Sequence, residues 1–234
     1  MSRYGYTFLL LSGLFGLSAA QIWDASHWLS LAVGYASLSF AVLAAAYAGL
    51  GTWIFFKSKS SKLTIGSWPG LAPYLLMNAC VFRIYRDTCR EPAFVEVAPN
   101  LFFGRRLTSD EARNRTVAGW KNILDLAVEF SEVPGFRSLP GYRSLPVLDG
   151  TAPTQEQLQD AVAWIAKRIL DGPVYVHCAL GHGRSACLVL AYFLSTGIVD
   201  SASVGLARLQ RLRPGVRLNR VQMAAASQFE QRCK

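Results

Sequence analysis

The chain has 234 residues, which suits one domain of ordinary size with an appendage, and its composition of 52% hydrophobic and 17% charged residues is too apolar for a plain soluble enzyme. The formal net charge of +9 favours anionic headgroups and phosphorylated ligands as partners. Because the sequence shows no helix-turn-helix, zinc-finger or RNA-binding signature, we expect no nucleic-acid partner.

Two stretches without charge, residues 4–22 and 28–56, open the chain. Each is long enough to cross the ~30 Å hydrocarbon core of a bilayer as a helix. The short polar turn Trp23-Asp24-Ala25-Ser26-His27 separates them. We therefore predict a membrane hairpin with a basic linker in residues 1–62. An alternative is a cleaved signal peptide, for which Arg3, the apolar residues 8–17 and the small residues 18–20 are typical.

Positive charge follows the second apolar stretch at Lys57, Lys59 and Lys62. Positive residues beside a transmembrane helix tend to stay in the cytoplasm. We therefore expect a multi-pass protein of the inner or plasma membrane with its hydrophilic part in the cytosol.

Residues 63–91 form a linker segment that contains an apolar stretch from Leu71 to Tyr85. The stretch is short for a span, and Asn78 and Arg83 interrupt it. We interpret it as a helix at the membrane surface, with Arg83, Arg86 and Arg90 near headgroups. A buried helix without membrane contact is an equal alternative.

Residues 92–234 have the pattern of a globular domain of the α/β class. Two capping-box patterns, which begin at Thr108 and at Thr154, predict the starts of two helices. Further helices are predicted over residues 184–194, 201–212 and 219–233. Short strands are predicted within residues 94–104 and over 122–126, 144–148 and 174–176. Strands alternating with helices indicate a sheet covered by helices on both faces.

The chemistry of this domain centres on Cys178, which ends a predicted strand, and Arg184, which begins a predicted helix. A loop between a strand and a helix N-terminus points backbone N–H groups into one concavity, which binds phosphate. Gly181 and Gly183 let the backbone come close to that ligand, and the Arg184 fork can hold two phosphate oxygens. These positive surroundings favour the thiolate of Cys178, which can attack phosphorus. The predicted phosphate-binding residues are Ala179, Leu180, Gly181, His182, Gly183 and Arg184.

A phosphoester also needs a proton for its leaving oxygen. Asp149, on a Gly-containing loop directly after a strand, is the best candidate for that acid. Asp125 lies inside an apolar strand pattern, and Asp171 has the position of a helix-ending residue, so both are weaker candidates. Ser185 could cap the helix or hydrogen-bond the Cys178 sulfur. His182 is more readily explained as a surface residue than as a specific ligand.

The five cysteines are odd in number and form no C-x-x-C pair. This argues against a disulfide framework or a zinc site. It is typical of a reducing compartment, in which a free thiolate can serve as a nucleophile.

The sequence His-Cys-x5-Arg-Ser resembles the signature of the cysteine-dependent protein tyrosine phosphatases, in particular their dual-specificity branch. Leu-Pro-Val-Leu-Asp-Gly, which ends at Gly150, resembles the acid loop of that branch, and Arg213-Pro214 with Asn219 and Gln222 resembles its C-terminal helical region. Similarity covers about residues 94–229. The resemblance implies a central mixed sheet flanked by helices and a phosphocysteine mechanism without metal or cofactor. It assigns catalytic roles to His177, which tunes the cysteine, and to Cys178, Arg184, Asp149 and Ser185.

The sequence is compatible with two classes of substrate. The family resemblance favours phosphotyrosine in proteins, together with phosphoserine and phosphothreonine. A phospholipid headgroup, in phosphatidylglycerophosphate or a phosphoinositide, is favoured by the predicted membrane anchor. Residues 73–78 also resemble a segment of the mitochondrial and plant phosphatidylglycerophosphate phosphatases, although the loop lacks the lysines that lipid-specific relatives often carry. A pseudophosphatase that only binds phosphorylated partners is a third, weaker possibility, since Cys178, Arg184 and Asp149 are all present.

Overall fold

The computed structural model describes residues 3–58 and 61–233. The chain divides into two compact units, of which the first ends at Thr88 and the second begins at Cys89. We call them the N-terminal unit and the C-terminal unit. Lys59, one of the three lysines used for the topology prediction, lies outside the described residues.

The N-terminal unit is helical. Its α-helices are α1 (Arg3–Gln21), α2 (His27–Ala45) and α3 (Trp68–Thr88). A π-helical turn (Ala46–Leu50) and a 3-10 turn (Gly51–Phe55) follow α2, and a second 3-10 turn (Ile65–Ser67) precedes α3. The side chain of Ser26 caps α2 by accepting a hydrogen bond from the amide of Leu29.

Small polar side chains join α1 to α2. The hydroxyl of Ser30 donates to the carbonyl of Ala19 at 2.6 Å, and the hydroxyl of Ser37 donates to that of Ser12 at 2.7 Å. Serines that bond across a helix pair allow apolar helices to approach closely without burying an unsatisfied polar group. Residues 3–45 therefore form two packed helices joined by the turn predicted at residues 23–27.

The predicted second span, residues 28–56, is not one regular helix. The α-helix ends at Ala45, and Gly49 lies at φ +140° within the π-helical turn that follows. Glycine is the residue that adopts this backbone conformation without steric cost. Among the described residues, only the segment His27–Phe55 is both long and apolar enough to cross a membrane. The transmembrane hairpin therefore stays a prediction.

The linker helix predicted near residues 71–85 is longer than its apolar stretch, because α3 runs from Trp68 to Thr88. It packs within the N-terminal unit. The hydroxyl of Tyr35 donates to the carbonyl of Trp68 at 2.8 Å, and the Tyr74 ring lies edge-on to the rings of Phe8 and Phe55. The residues after α3 belong to the C-terminal unit.

The C-terminal unit contains a five-stranded mixed sheet in the order β1-β2-β5-β3-β4. The strands are β1 (Phe94–Ala98), β2 (Leu101–Arg105), β3 (Asn122–Ala127), β4 (Gly141–Val147) and β5 (Val174–Cys178). All neighbouring pairs are parallel except β1 and β2. The expected α/β class with a central mixed sheet is confirmed.

Six helices flank this sheet among the described residues. They are α4 (Ser109–Val117), α5 (Pro134–Arg137), α6 (Gln155–Arg168), α7 (Arg184–Ser195), α8 (Ala202–Leu212) and α9 (Arg220–Cys233). Thr108 and Thr154 make both reciprocal bonds of a capping box at the starts of α4 and α6, as predicted. The short α5 lies between β3 and β4, and β4 begins three residues earlier than expected.

The central strand β5 divides its side chains between the two faces of the sheet. Val174, Val176 and Cys178 join the larger core with α7. Tyr175 joins a smaller, aromatic core that includes Trp120 and Phe136. This alternation, which follows from the two-residue period of a strand, buries Cys178 beside the helix that follows it.

Candidate active site

The parallel strands end at one edge of the sheet, and this edge holds the candidate site. Cys178 is the last residue of β5, which lies between β2 and β3. The segments that leave β3 and β4 at the same edge carry Glu129, Glu132 and Asp149. Loops beyond the carboxyl ends of neighbouring parallel strands are the usual place for a ligand site in an open α/β sheet.

The loop from Cys178 to Arg184 wraps back toward the Cys178 sulfur. The amide of Gly181 donates to Cys178 Sγ at 3.3 Å, and the hydroxyl of Ser185 lies 3.4 Å from the same sulfur. Gly181 has φ +76°, and a Cβ atom there would collide with the backbone of Gly104. Only glycine fits this close approach, so the loop depends on it. Ser185 thus contacts the sulfur, while Gly183 occupies the N-cap position of α7.

Arg184 is fully buried, and its guanidinium is bound on several sides. Nη1 and Nη2 donate to the two carboxylate oxygens of Glu129 at 2.8 and 2.6 Å, and Nη1 also donates to the carbonyl of Val147 at 2.9 Å. Nη2 lies 3.0 Å from Oδ1 of Asp149. Burial opposes the charge, but the carboxylates of Glu129 and Asp149 hold the pKa of Arg184 well above its usual value. Arg184 is therefore a fixed, permanently charged group.

Asp149 is the exposed carboxylate of the site, and two residues at the start of α9 hold its loop. The side-chain amide of Asn219 donates to the carbonyl of Gly150 at 2.7 Å, and that of Gln222 donates to the carbonyl of Thr151 at 3.0 Å. Asn219 and Gln222 also bond each other. These contacts give a physical role to residues that the sequence singled out only by resemblance.

The two competing aspartates lie elsewhere. Asp125 is buried in β3, where it accepts hydrogen bonds from the amide of Ala127 and the hydroxyl of Tyr142. Asp171 precedes β5 and is paired with Arg168 at 3.7 Å, so it lies at the opposite end of that strand from Cys178. Neither has the position of Asp149.

His177 forms a buried pair with Glu132. Its Nε2 lies 3.0 Å from a Glu132 carboxylate oxygen, and both side chains are almost completely buried. Burial disfavours the imidazolium, but the charge and hydrogen bond of Glu132, aided by Asp125, raise the pKa of His177 above its usual value. Donor atoms of Asp125, Glu132 and His177 lie within 4.8 Å of one another, a spacing that could also hold a metal ion. His177 and Glu132 are close enough for an ion pair, and Asp125 accepts two hydrogen bonds, but His177 Nε2 and Glu132 Oε2 have no hydrogen-bond partner of good geometry among the described residues.

Two residues of the phosphate-binding loop, Leu180 and His182, form hydrogen bonds with side chains that do not belong to the sheet. The buried Arg213 donates to the carbonyl of Leu180 at 3.1 Å. The Nε2 atom of His182 lies 2.8 Å from a carboxylate oxygen of Glu91. His182 is thus a partly buried, hydrogen-bonded residue, and the expectation of a plain surface residue was wrong.

The thiols of Cys178 and Cys187 lie in different environments. Cys187 lies in α7, and burial raises its pKa to about 12, which keeps it a neutral core residue. Cys178 contacts the Gly181 amide and the Ser185 hydroxyl, two groups that can donate a hydrogen bond to a thiolate. The geometry therefore distinguishes Cys178 as the candidate nucleophile.

Sequence reasoning missed three glutamates, the buried Glu129 and Glu132 and the partly buried Glu91. Glu129 and Glu132 directly follow β3, as Asp149 follows β4. Because neighbouring parallel strands end at the same edge of a sheet, Glu129 and Glu132 could have been predicted to lie near Cys178. The same rule does not predict which side chain each of them contacts.

The sequence model of a known family, described as "Dual specificity phosphatase, catalytic domain", matches residues 122–232. No curated protein matches the sequence. Several solved structures resemble the chain over about 60% of its length. The structure of Tk-PTP in its active form is 27% identical, with 60% of this chain and 98% of that chain covered and a TM-score of 0.53.

Two further structures show the same fold at lower identity. PTPMT1 in complex with PI(5)P is 18% identical, with 61% of this chain and 97% of that chain covered and a TM-score of 0.54. Human DUSP28 is 22% identical, with 60% and 95% covered and a TM-score of 0.51. The C-terminal unit therefore has the fold of a cysteine-dependent phosphatase domain for phosphorylated substrates, and residues 122–232 match the catalytic domain of the dual-specificity phosphatases.

Proposed function

We propose that the chain is a membrane-anchored dual-specificity phosphatase that hydrolyses phosphotyrosine, phosphoserine and phosphothreonine in proteins through a phosphocysteine intermediate. The observation that carries the proposal is the contact of Cys178 Sγ with the Gly181 amide and the Ser185 hydroxyl, in a loop that ends at Arg184. This arrangement places a sulfur nucleophile among donors that bind a phosphate dianion.

In the first step, the Cys178 thiolate attacks phosphorus, and the bond from phosphorus to the substrate oxygen breaks. Asp149 gives its proton to that oxygen, so the substrate leaves as a neutral alcohol or phenol. The loop amides and Arg184 hold the non-bridging oxygens. Arg184 Nε has no hydrogen-bond partner among the described residues, which leaves this donor for a phosphate oxygen.

In the second step, a water molecule attacks the phosphorus of phosphocysteine. Asp149, now ionised, takes a proton from the water, and the sulfur–phosphorus bond breaks to release inorganic phosphate. Ser185 donates a hydrogen bond to the departing thiolate. His177, held by Glu132, supports the backbone of Cys178, since its Nδ1 lies 3.3 Å from the Cys178 carbonyl oxygen.

The N-terminal unit is proposed as the membrane anchor, with the phosphatase domain in the cytosol. Support comes from the apolar segment His27–Phe55 and from the many large apolar side chains that α1 and α2 leave exposed. Lys57 and Lys62 follow this segment and favour the cytosolic side. Protease treatment of intact cells should leave the phosphatase domain undigested; digestion from outside would overturn the orientation.

A phosphoprotein substrate is favoured by the family match and by a loop without lysine between Cys178 and Arg184. A phospholipid substrate is the second candidate. It is favoured by the proposed anchor, which would hold the site near headgroups, and by α3, which exposes Leu76, Met77 and Ile84 together with Arg83. The solved complex of PTPMT1 with PI(5)P shows that this fold can bind a lipid headgroup.

The deciding experiment compares kcat/KM of the full chain in detergent micelles on phosphotyrosyl peptides and on phosphatidylglycerophosphate. The proposal predicts a higher value for the peptides. A clear advantage for the lipid would reverse the order of the two candidates, and no turnover of either, with binding retained, would indicate a pseudophosphatase. The Cys178→Ser variant, prepared in the same way, corrects for contaminating phosphatases.

A further inference from the structure

A cluster of charged residues beside the phosphate-binding loop takes no part in the proposed mechanism. Its centre is Glu91, which is the third residue after the end of α3 and lies before the first strand of the sheet. We propose that Glu91 is a positioning residue, which fixes the phosphate-binding loop through His182 and Arg213. The inference deepens the proposed function and rests on it for its effect on turnover.

The Glu91 carboxylate contacts groups from two parts of the chain. One oxygen lies 2.8 Å from Nε2 of His182, inside the loop, and 3.4 Å from Nη2 of Arg213, after α8. The other oxygen accepts a hydrogen bond from the amide of Gly215. A single side chain therefore joins the loop to the segment between α8 and α9.

The Glu91 and His182 side chains pack closely against Gly215. A Cβ atom there would collide with both His182 Nε2 and the Glu91 carboxylate. Arg213 is completely buried, and besides Glu91 it binds the carbonyls of Pro92 and Leu180. The cluster therefore combines a completely buried arginine with two partly buried side chains that pack closely against Gly215.

Electrostatics fix the protonation states within the cluster. Burial raises the pKa of Glu91, but the bonds from His182 and Gly215 and the charge of Arg213 outweigh it, so the net shift is downward. Burial lowers the pKa of His182, as do the charges of Arg213 and Arg217, and Glu91 only partly opposes them. At neutral pH the pair is therefore a carboxylate that accepts a hydrogen bond from the Nε2–H of a neutral imidazole.

The position of His182 explains why this bond matters for catalysis. His182 follows Gly181, whose amide faces the Cys178 sulfur, and precedes Gly183 at the start of α7. Arg213 holds the loop at Leu180, on the other side of Gly181. Because Leu180 and His182 are both fixed, the Gly181 amide between them keeps the orientation that the sulfur and a bound phosphate require. This lowers the free energy needed to order the loop when phosphate binds.

The test compares Glu91→Ala and Glu91→Gln with Asp87→Asn, all in the full chain in micelles. Asp87→Asn is the matched control, because it also removes one carboxylate charge from the same stretch but lies on the exposed surface of α3. The readout is the affinity for tungstate, a phosphate-shaped anion. Loss of negative charge alone would strengthen tungstate binding, whereas loss of loop order weakens it. We expect Glu91→Ala to bind tungstate about tenfold more weakly, and Asp87→Asn to bind it as the unchanged chain does.

Turnover and imidazole titration complete the test. Glu91→Ala should lower kcat/KM about tenfold, and Glu91→Gln, which keeps one acceptor oxygen, should lower it only about threefold. The NMR titration midpoint of His182 should fall in Glu91→Gln and stay constant in Asp87→Asn, while an unchanged His177 signal shows that the fold is intact.

Unchanged or tighter tungstate binding by Glu91→Ala, or an unchanged His182 midpoint in Glu91→Gln, would refute the inference. If the unchanged chain binds tungstate but hydrolyses no phosphomonoester, the proposed function fails while tungstate affinity and titration still decide the role of Glu91.

Discussion

The N-terminal unit and the C-terminal unit use apolar helices in opposite ways. In the N-terminal unit, large apolar side chains are exposed along α1 and α2, with Leu10 at 74% and Trp28 at 85%. In α7 of the C-terminal unit, none of residues 186–194 is more than 7% exposed. The residue types are similar, so the difference lies in what covers them: protein around α7, and an apolar medium that we propose to be lipid around α1 and α2.

The two units also differ in how their buried polar groups find partners. In the N-terminal unit, serine hydroxyls bond backbone carbonyls across α1 and α2. In the C-terminal unit, buried charges are paired one with another, as Arg184 is with Glu129 and His177 is with Glu132. Buried ion pairs are costly to desolvate and are often kept where a site needs a fixed charge. The comparison shows a C-terminal unit built around a charged site, whereas the exposed apolar side chains of the N-terminal unit are what the proposed membrane anchor requires.

The largest effect is expected from Cys178→Ser. Turnover should fall by a factor on the order of 10⁴ or more, because the hydroxyl is far less acidic than the thiol and cannot replace it as a nucleophile. Phosphate binding should remain, since the loop and Arg184 are unchanged. Steady-state kinetics with Cys233→Ser as the exposed control would check this, and normal turnover by Cys178→Ser would rule out the mechanism.

Asp149→Asn should lower kcat by about 10²–10³-fold, since it removes a general acid and base without changing volume. The decline of rate at alkaline pH, which reflects the need for a protonated acid, should also flatten. The matched control is Asp171→Asn, in which the same change is made at the other end of β5 and turnover should stay near normal. Equal losses in both variants would show that Asp149 has no special role.

The difference between the units can be tested directly with one type of substitution. Leu188→Ala, in fully buried α7, should lower the free energy of unfolding of the C-terminal unit by about 2–5 kcal/mol through the cavity that it leaves. Leu14→Ala, in exposed α1, should change stability in micelles by less than about 0.5 kcal/mol. Urea unfolding followed by tryptophan fluorescence measures both. A large loss for Leu14→Ala would show that α1 is covered by protein.

The smallest expected effect is on the pH dependence of the free energy of unfolding. Because Glu132 raises the pKa of His177 above its usual 6.5, the imidazolium stabilises the fold fully below pH 6.5, and this contribution is lost as pH rises through the folded-state pKa. The free energy of unfolding of the unchanged chain should therefore decline with pH in that window, and Glu132→Gln should reduce the slope.

A second glutamate provides the control for this pH dependence. Arg105 and Thr108 outweigh burial and lower the pKa of Glu111 from 4.5 to about 2, so its contribution is present above pH 4.5 and lost as pH falls toward 2. Glu111→Gln should therefore leave the slope above pH 6.5 unchanged. An equal slope in Glu132→Gln and the unchanged chain would contradict the buried His177 pair.

Much of the C-terminal unit was predictable because its signals are local. The Cys178–Arg184 loop, the capping boxes at Thr108 and Thr154 and the buried pattern of β5 each lie within a few consecutive residues. The partners of the site were not predictable in this way. Glu129 meets Arg184 only because β3 and β5 are adjacent and parallel, and Glu91 meets His182 although 91 positions separate them in the sequence.

The N-terminal unit shows another limit of sequence reasoning. Hydropathy predicted one helix over residues 28–56, because an average over a window does not register a single backbone dihedral. The regular α-helix ends at Ala45, and Gly49 and Gly51 lie at positive φ in the turns that follow. The apolar content of the stretch was predicted correctly, whereas its path depends on the backbone conformation of individual residues, which hydropathy does not report.

The central claim is that Cys178 carries the phosphoryl group between the two steps. Its most direct test is to quench the reaction of Asp149→Asn with a phosphotyrosyl peptide in acid and to identify the modified residue by mass spectrometry, since loss of the base slows hydrolysis of the intermediate. We predict one phosphoryl group on the peptide that contains Cys178, which appears with substrate and decays with phosphate release. Turnover accompanied by phosphate on another residue, or by no phosphorylated enzyme at all, would contradict the account.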